Sequence, residues 1–489
     1  MKENEKKDVK KTEDRPNILF ITTDQQRFDT INAAGNPHIS TPHLNWMCDR
    51  GVRFSRAYTT SPHCVPARAT IMTGLYAYHN DVMPPFGGPP PINTTDTLPG
   101  VLTANGYQTK AVGKMHFHPM RCNFGFEHME ILPDYYRYMS KTGKGDEPLS
   151  HGLGQCEYGP VISPLKEKDT LTHWTVDRSI DFIETRDETR PFFIWTSFSK
   201  PHPPIDPTLE YWSLYNQREV PEPVIGEWSK DGTPEEFMIT TYNQGCLSHL
   251  SKSQRDDVCR AYYACITQID YNMGLLLSHM REKGLFKNTW IIFTSDHGEM
   301  LGDHNMYSKM TFFEGSAHVP MLIVPPEGKE YDKYRGTECN NITCLADIMP
   351  TCLNITDTNN EADLKTDGLD LLKQARGEVS RDKLFGWCFN NQNMLLTKQY
   401  KYIYSVNNGG ELLFDIIKDP NECNNLADNA EFKDVLLDLK NRLIEKLKTH
   451  NHNIIKNDEL PKSKLENAHL QKNAWPGFHT PMSACDVLH

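Results

Sequence analysis

The feature that most constrains the fold is a short apolar run that recurs along the chain and ends each time in polar residues. Such runs cover residues 17–23, 192–198 and 290–294, and a similar run covers residues 321–324. Continuous apolar runs of this length are typical of strands buried on both faces of a sheet. The chain therefore carries the signature of a covered sheet.

Helical periodicity separates these runs. It is clearest over residues 254–283, where Val258, Tyr262, Ile266 and Ile269 recur at three- and four-residue spacing. Strands that alternate with helices predict an α/β fold, a large mixed and mostly parallel sheet sandwiched by helices. In such sheets functional residues lie in the loops beyond the carboxyl ends of the strands.

The pattern changes near residue 384. Short strands follow one another closely through residue 414, with a hairpin-type turn at residues 407–410, and an amphipathic helix covers residues 432–447. A smaller C-terminal antiparallel sheet plus helix is expected. We divide the chain as follows: a charged leader at 1–15, the large domain at 16–375, the C-terminal subdomain at 376–450 and a tail at 451–489.

Charge and composition exclude several function classes. The 489 residues carry 52 Lys and Arg against 64 Asp and Glu, a formal charge of -12, which argues against a nucleic-acid partner. No run approaches the ~20 apolar residues that span a bilayer, so we expect no membrane association. The charged leader predicts a cytoplasmic protein. Thirteen cysteines, an odd number without paired spacing, argue against a disulfide framework.

Cys64 begins a helix-compatible stretch, because Pro66 suits a first helical turn. A helix N-terminus offers N–H donors and a positive dipole end that favour an anion against residue 64. Arg68, one turn along, can point a cation back toward it. The alternative is a buried structural cysteine, which is the usual role of a lone cysteine.

Two further segments supply candidate functional residues. Lys114 and His116 follow an apolar strand-like run, although a Lys and a His two residues apart are usually a solvated surface pair. His202 lies between prolines, which is consistent with a fixed ligand-facing loop and equally with an extended linker.

Oxygen and nitrogen donors follow two of the predicted strands. Asp24 and Gln25 come after the first, and Asp296 and His297 come after a later one, so a divalent cation could join them. Carboxylate and amide oxygens suit Ca²⁺ or Mg²⁺, whereas an imidazole makes Mn²⁺ a rival. Taken singly, each Asp could equally be a helix cap or turn residue.

The segment Cys64-x-Pro66-x-Arg68, together with residues 106–116, resembles the two signatures of the formylglycine-dependent sulfatases of the alkaline phosphatase superfamily. The resemblance runs from about residue 16 to 428 and is strongest for bacterial arylsulfatase and choline-sulfatase-like members. It implies an alkaline phosphatase-like fold and a maturation enzyme that oxidises Cys64 to formylglycine (3-oxoalanine). It also implies one divalent metal, with Ca²⁺ expected first, held by Asp24, Gln25, residue 64, Asp296 and His297.

The same resemblance assigns roles. Arg68, Lys114 and Lys309 would contact the sulfate oxygens, and His116 would act as the base at residue 64. His202 would protonate the departing alcohol, and Lys200 is a candidate substrate contact. A small sulfated substrate is expected, such as a sugar, aryl or choline sulfate, and an oligomer remains open.

The chain departs from the commonest family pattern at Gln25, where a second carboxylate is usual. Gln25 and His297 are also similar to phosphonate monoester and phosphodiester hydrolases of the same superfamily, which is the alternative function, although residues 113–116 argue against it. From a different class, a binding protein that keeps Cys64 as a thiol and holds sulfated ligands is a third hypothesis.

Overall fold

The computed structural model describes residues 15–80, 82, 92–117, 119–153, 158–237, 250–358, 364–388, 392–449, 455 and 457–464. The predicted leader lies outside the described residues except for residue 15, as does the predicted tail except for residues 455 and 457–464. Within these ranges, no helix has both the length and the apolar character that crossing a membrane requires. The cysteines of the described ranges are all free thiols.

The strands fall into a large sheet, a short two-stranded ladder and a small sheet. They are β1 Asn17–Asp24, β2 Val52–Phe54, β3 Ala57–Tyr58, β4 Gln108–Gly113, β5 His128–Ile131, β6 Phe192–Pro201, β7 Thr289–Ser295, β8 Met321–Val324, β9 Thr337–Cys339, β10 Thr343–Cys344, β11 Lys383–Cys388, β12 Gln392–Thr397, β13 Tyr400–Ser405 and β14 Glu411–Asp415.

The α-helices vary from single turns to one long rod. They are α1 Pro42–Arg50, α2 Cys64–Thr73, α3 Ala77–Asn80, α4 Leu98–Ala104, α5 Leu132–Lys141, α6 Leu171–Thr185, α7 Leu209–Ser213, α8 Lys252–Glu282, α9 Glu314–Ala317, α10 Ile348–Ile355, α11 Leu371–Ala375 and α12 Lys433–Lys448.

The large sheet has the order β5-β4-β6-β1-β7-β8-β2-β9. The five neighbouring strands β5, β4, β6, β1 and β7 run parallel to one another. Strand β8 runs antiparallel to both β7 and β2, and β9 pairs with β2 in parallel. The predicted large, mixed and mostly parallel sheet is thus confirmed. The central position of β1, between β6 and β7, brings three predicted polar strand ends to one edge.

Hydrophobic cores cover both faces of this sheet, because successive side chains of a strand point to opposite faces. Ile18 and Phe20 pack on one face with α2, α4 and α10. Leu19 and Ile21 pack on the other with α1, α6 and α8. The continuous apolar run of β1 therefore reflects burial on two sides.

The predicted C-terminal antiparallel sheet is confirmed as β11-β12-β13-β14 in sequence order. One face packs against α12 through Leu439, Leu443 and Leu447. The other packs against the loop that follows β7, including Met310 and Phe312. The small sheet thus supports a loop of the large domain, and the domain boundaries proposed from sequence remain predictions.

Candidate active site

Four buried side chains meet beyond the carboxyl ends of β1 and β7. Asp24 ends β1, Asp296 and His297 follow β7, and Cys64 begins α2. One donor atom from each lies within 4.8 Å of the others. The Cys64 Sγ is 3.1 Å from the His297 Nε2 and 3.7 Å from the Asp24 Oδ1. We call these four residues the metal-binding group.

The register of two neighbouring strands explains why the acidic members meet. In the parallel pair of β1 and β7, Thr23 lies opposite Ser295. The backbone N–H of Asp296 also donates to the carbonyl of Thr23 at 3.3 Å. The next residue in each chain segment, Asp24 after Thr23 and Asp296 after Ser295, is therefore a neighbour of the other.

The donor set of this group fits a divalent cation. His297 donates through Nδ1 to the carbonyl of Gly298 at 2.9 Å, which leaves the lone pair of Nε2 toward the carboxylates. Burial, followed by the charge of Asp24, raises the pKa of Asp296. Burial lowers the pKa of His297, but Asp296 and Cys64 outweigh it and raise that pKa. This balance favours positive charge at the centre of the group.

Arg68 and Lys114 surround the carboxylates of the group. Arg68 donates from Nε to Asp296 at 2.9 Å and from Nη2 to Asp24 at 3.3 Å. Lys114 Nζ lies 2.7 Å from Asp24. Burial and Cys64 raise the pKa of Asp24, but Lys114, His202 and Arg68 together hold it below its usual range. Asp24 is therefore ionised.

Cys64 lies in a strongly cationic environment. Burial raises the pKa of its thiol, yet Lys309, His297 and Lys114, with a hydrogen bond from His116, hold that pKa well below the usual range. Negative charge at the first residue of α2 is thus stabilised by these neighbouring cations.

The two predicted catalytic histidines both contact Cys64. His202 forms a side-chain hydrogen bond with it and donates from Nδ1 to the carbonyl of Pro203 at 2.8 Å, so Nε2 faces the site. Burial, then Lys114 and Lys309, lowers the pKa of His202 to about 3. His116 is exposed and has a left-handed backbone, with φ 55°.

Lys309 reaches the site beside Gln25. Its Nζ donates to the Gln25 Oε1 at 2.6 Å, while the Gln25 Nε2 donates to the Tyr158 hydroxyl at 2.8 Å and to Glu299. The Gln25 oxygen is thus held by Lys309 in this structure, and its predicted role as a metal ligand stays a prediction.

Lys200 lies in the wall of a cavity beside His202. Its Nζ contacts Asp206 and the carbonyl of Pro204. Together with Lys114, His202 and Tyr136 it lines a cavity of about 90 Å³. The predicted substrate contact of Lys200 would be made from the wall of this cavity.

Sequence reasoning missed several residues that hold the site. Ser197 accepts from Arg68 at 2.8 Å and donates to the carbonyl of Lys114 at 2.6 Å. Glu299 and Tyr158 hold Gln25, and Asp206 holds Lys200. Ser197 was hidden inside an apolar strand, and none of the others stands at a recognisable spacing.

Comparisons with known proteins agree with this geometry. A model of the sulfatase family matches residues 16–358, and a model for the C-terminal region of N-sulphoglucosamine sulphohydrolase matches residues 302–449. The arylsulfatase of Clostridium perfringens (strain 13 / Type A) is 32% identical over 470 residues, covering 88% of this chain and 94% of that protein.

Two solved structures share the fold. The phosphonate monoester hydrolase of Agrobacterium radiobacter superposes with a TM-score of 0.72 at 24% identity, covering 89% of this chain and 96% of that one. BT4656 in complex with its substrate D-glucosamine-2-N,6-O-disulfate gives a TM-score of 0.73 at 21% identity, covering 90% and 99%. Since the family model spans more than half of the chain and its signature residues meet at one buried site, this protein is a sulfuric ester hydrolase that belongs to the sulfatase family.

Proposed function

We propose that the nucleophile of this sulfatase is a formylglycine made from Cys64, acting with one divalent metal, Ca²⁺ foremost and Mg²⁺ or Mn²⁺ as alternatives. The observation that carries the proposal is the position of Cys64. It begins α2 within the metal-binding group, and both His116 and His202 form hydrogen bonds with its side chain. A hydrated aldehyde there would offer one oxygen to a metal and one to a base.

The bound metal would supply the charge that keeps a hydroxyl of residue 64 deprotonated near neutral pH. The residues of the chain position the metal ligands and bind the sulfate. Arg68 holds Asp24 and Asp296 in place through two hydrogen bonds. Lys114 and Lys309 neutralise the nonbridging oxygens of a bound sulfate, a contact that typically supplies about 3 kcal/mol for one well-placed donor.

Proton transfer is assigned to the two histidines. His116, at the exposed mouth of the site, removes a proton at residue 64. His202 delivers a proton to the departing oxygen from Nε2, because Nδ1 is committed to the carbonyl of Pro203. An anionic ester between Lys114 and Lys309 would offset the charges that lower the pKa of His202, so substrate binding would help this histidine to hold a proton.

The substrate we propose is a small sulfate ester of a sugar, an aryl alcohol or choline. Support comes from the cavity of about 90 Å³ beside His202, which suits a small group, and from the charge of -12, which opposes a long polysulfated chain. We further propose that a maturation enzyme acts on Cys64 and that the protein is cytoplasmic. The proposal does not depend on the oligomeric state.

The decisive experiment is mass spectrometry of the tryptic peptide that ends at Arg68, made from protein expressed with a formylglycine-generating enzyme. The peptide should carry the aldehyde, and the same preparation should release sulfate from 4-nitrophenyl sulfate, choline sulfate or a sulfated monosaccharide. An active preparation with only a thiol at residue 64 would overturn the proposed nucleophile.

A phosphonate monoester or phosphodiester hydrolase is the second candidate. The pairs Asp24-Gln25 and Asp296-His297 favour it, whereas Lys114 and His116 favour the sulfatase. Comparing kcat/KM for 4-nitrophenyl sulfate with kcat/KM for a 4-nitrophenyl phosphonate monoester decides between them, and we expect the sulfate to be preferred.

A further inference from the structure

Glu299 is a fully buried carboxylate three residues beyond Asp296 and outside the metal-binding group. Its Oε1 accepts the backbone N–H of Leu301 at 3.0 Å and of Ser308 at 2.5 Å. Its Oε2 accepts the Tyr158 hydroxyl at 2.7 Å and the amide of Gln25. Each oxygen is therefore committed to two donors.

These contacts decide which way the amide of Gln25 points. Both oxygens of Glu299 accept hydrogen bonds in these contacts, so the NH₂ end of Gln25 faces Glu299. The oxygen end then faces Lys309, whose Nζ donates to it at 2.6 Å. A reversed amide would bring its NH₂ against the Lys309 ammonium and its oxygen against the Glu299 carboxylate, which are two repulsive contacts.

The backbone around this amide is already fixed. Gln25 has a φ of 71°, its N–H donates to Asp296 at 3.2 Å, and its carbonyl accepts the Tyr262 hydroxyl at 2.6 Å. A left-handed residue that is not glycine costs free energy and persists only when its surroundings hold it. The side chain of Gln25 could still rotate, and hydrogen bonds to Glu299, Tyr158 and Lys309 hold its amide.

The same carboxylate holds the segment that carries Lys309. Ser308 has a φ of 73° and Met310 a φ of 76°, so left-handed residues flank Lys309 on both sides. Glu299 accepts a hydrogen bond from the backbone N–H of Ser308. One buried side chain thus fixes both partners of the contact between Gln25 and Lys309.

We infer that Glu299 is a positioning residue that orients the oxygen of Gln25 toward Lys309 and so aims the Lys309 charge at the sulfate bound against residue 64. This inference rests on the proposed function, because it assigns to Lys309 a sulfate-binding role. The side-chain contacts of Glu299 described above run to Gln25, Tyr158, Leu301 and Ser308, so it acts through Gln25 and Lys309.

The test uses Glu299→Gln in the matured, metal-loaded protein, at a metal content measured to equal that of wild type, because Gln25 is also a predicted metal ligand. Glutamine has the same shape and keeps an oxygen for Leu301 and Ser308, but it places an NH₂ group against that of Gln25. We expect a 10- to 100-fold loss of kcat/KM, the usual cost of losing such an orienting contact. By calorimetry, we expect inorganic sulfate to bind about 10-fold more weakly.

A rescue separates orientation from general damage. In the double variant Gln25→Glu with Glu299→Gln, acceptor and donor exchange places, the total charge is unchanged, and Lys309 again faces an oxygen. We expect this double variant to recover most of the sulfate affinity that Glu299→Gln loses. Tyr158→Phe, which leaves the carboxylate of Glu299 in place, should weaken sulfate binding less than Glu299→Gln does.

Two results would overturn the inference while the wild-type protein remains an active sulfatase. One is unchanged sulfate affinity in Glu299→Gln. The other concerns the variant that combines Glu299→Gln with Gln25→Ala. If its loss of sulfate-binding free energy equals the sum of the two single losses, the residues do not act through one contact, because residues that do are not additive. Should Glu299→Gln fail to fold, Glu299→Asp, which keeps the charge but shortens the side chain away from Gln25, takes its place, and unchanged sulfate affinity in that variant would equally overturn the inference. Failure of the proposed function would instead appear as wild-type protein that releases no sulfate.

Discussion

The Sγ of Cys64 lies 3.1 Å from the Nε2 of His297, although 233 positions of sequence separate the two residues. The contact exists because α2 begins beside the edge of the sheet where β1 and β7 end. It places the Cys64 thiol, whose pKa is lowered, next to the His297 nitrogen and the carboxylates of Asp24 and Asp296. The predictions below test the roles of residues in and around this group.

Replacing Cys64 with Ala should abolish sulfate release, because no aldehyde can form at residue 64. The fold should persist, since the change removes one sulfur atom from the start of a helix that is buried throughout. Activity assays with thermal unfolding would check this. Cys259→Ala is the matched control: burial raises the pKa of that thiol to about 12, so it is inert, and its loss should leave turnover intact. Turnover by Cys64→Ala would refute the assigned nucleophile.

Asp296→Asn should lower both metal content and activity. The substitution removes one negative charge from the metal-binding group and one hydrogen-bond acceptor from Arg68. We expect metal affinity to fall by at least 10-fold, measured by calorimetry on chelator-treated protein. Asp29→Asn, which alters a carboxylate paired with Arg27, serves as the control and should keep the metal. Full metal content in Asp296→Asn would contradict the site.

His202→Asn should slow poor leaving groups far more than good ones. A general acid typically contributes 10²- to 10⁴-fold, and an activated aryl alcohol departs without that help. The measurement is the slope of log kcat/KM against the pKa of the leaving alcohol, which should become steeper. His43→Gln, a change at an imidazole paired with Asp270, should leave the slope unchanged. Equal losses across the series would remove His202 from this role.

Lys401→Met should destabilise the protein by about 3 to 5 kcal/mol, because it removes the buried cation that lies between Glu314 and Glu422. Lys401 is fully buried on β13 and contacts Glu314, the Phe312 carbonyl at 3.0 Å and Glu422 at 2.7 Å. Denaturant unfolding would measure the loss. Lys440→Met removes a half-exposed pair with Glu411 and should cost under about 1 kcal/mol.

The same variant should show a defined pH dependence. Burial raises the pKa of Glu314 and of Glu422, and Lys401 is the strongest influence that lowers each. Without Lys401 both pKa values rise in the folded state, so the folded variant binds more protons than folded wild type. Its deficit relative to wild type should therefore shrink as the pH falls from 8 to 5. A deficit that grows on acidification would show that the carboxylates find other partners.

Much of the fold was predictable because its determinants are local. The run at residues 17–23 is apolar at every position because both faces of β1 are covered, and the observed strand ends at Asp24 as expected. The long helix α8 begins and ends within two residues of its predicted bounds, since its apolar periodicity lies in one continuous segment. Strands β11 to β14 followed from close spacing and a turn sequence.

The sequence by itself determined which residue types could do the chemistry: a cysteine at a helix start with Arg68 one turn later, a Lys and a His after one strand, and acidic residues after two others. Tertiary structure alone decided how these groups pair. The local sequence does not predict that Arg68 binds Asp296, that Asp206 binds Lys200, or that Glu299 orients the amide of Gln25. Such pairs join residues far apart in the chain, and burial makes an unpaired charge or amide so costly that only the packed fold selects each partner.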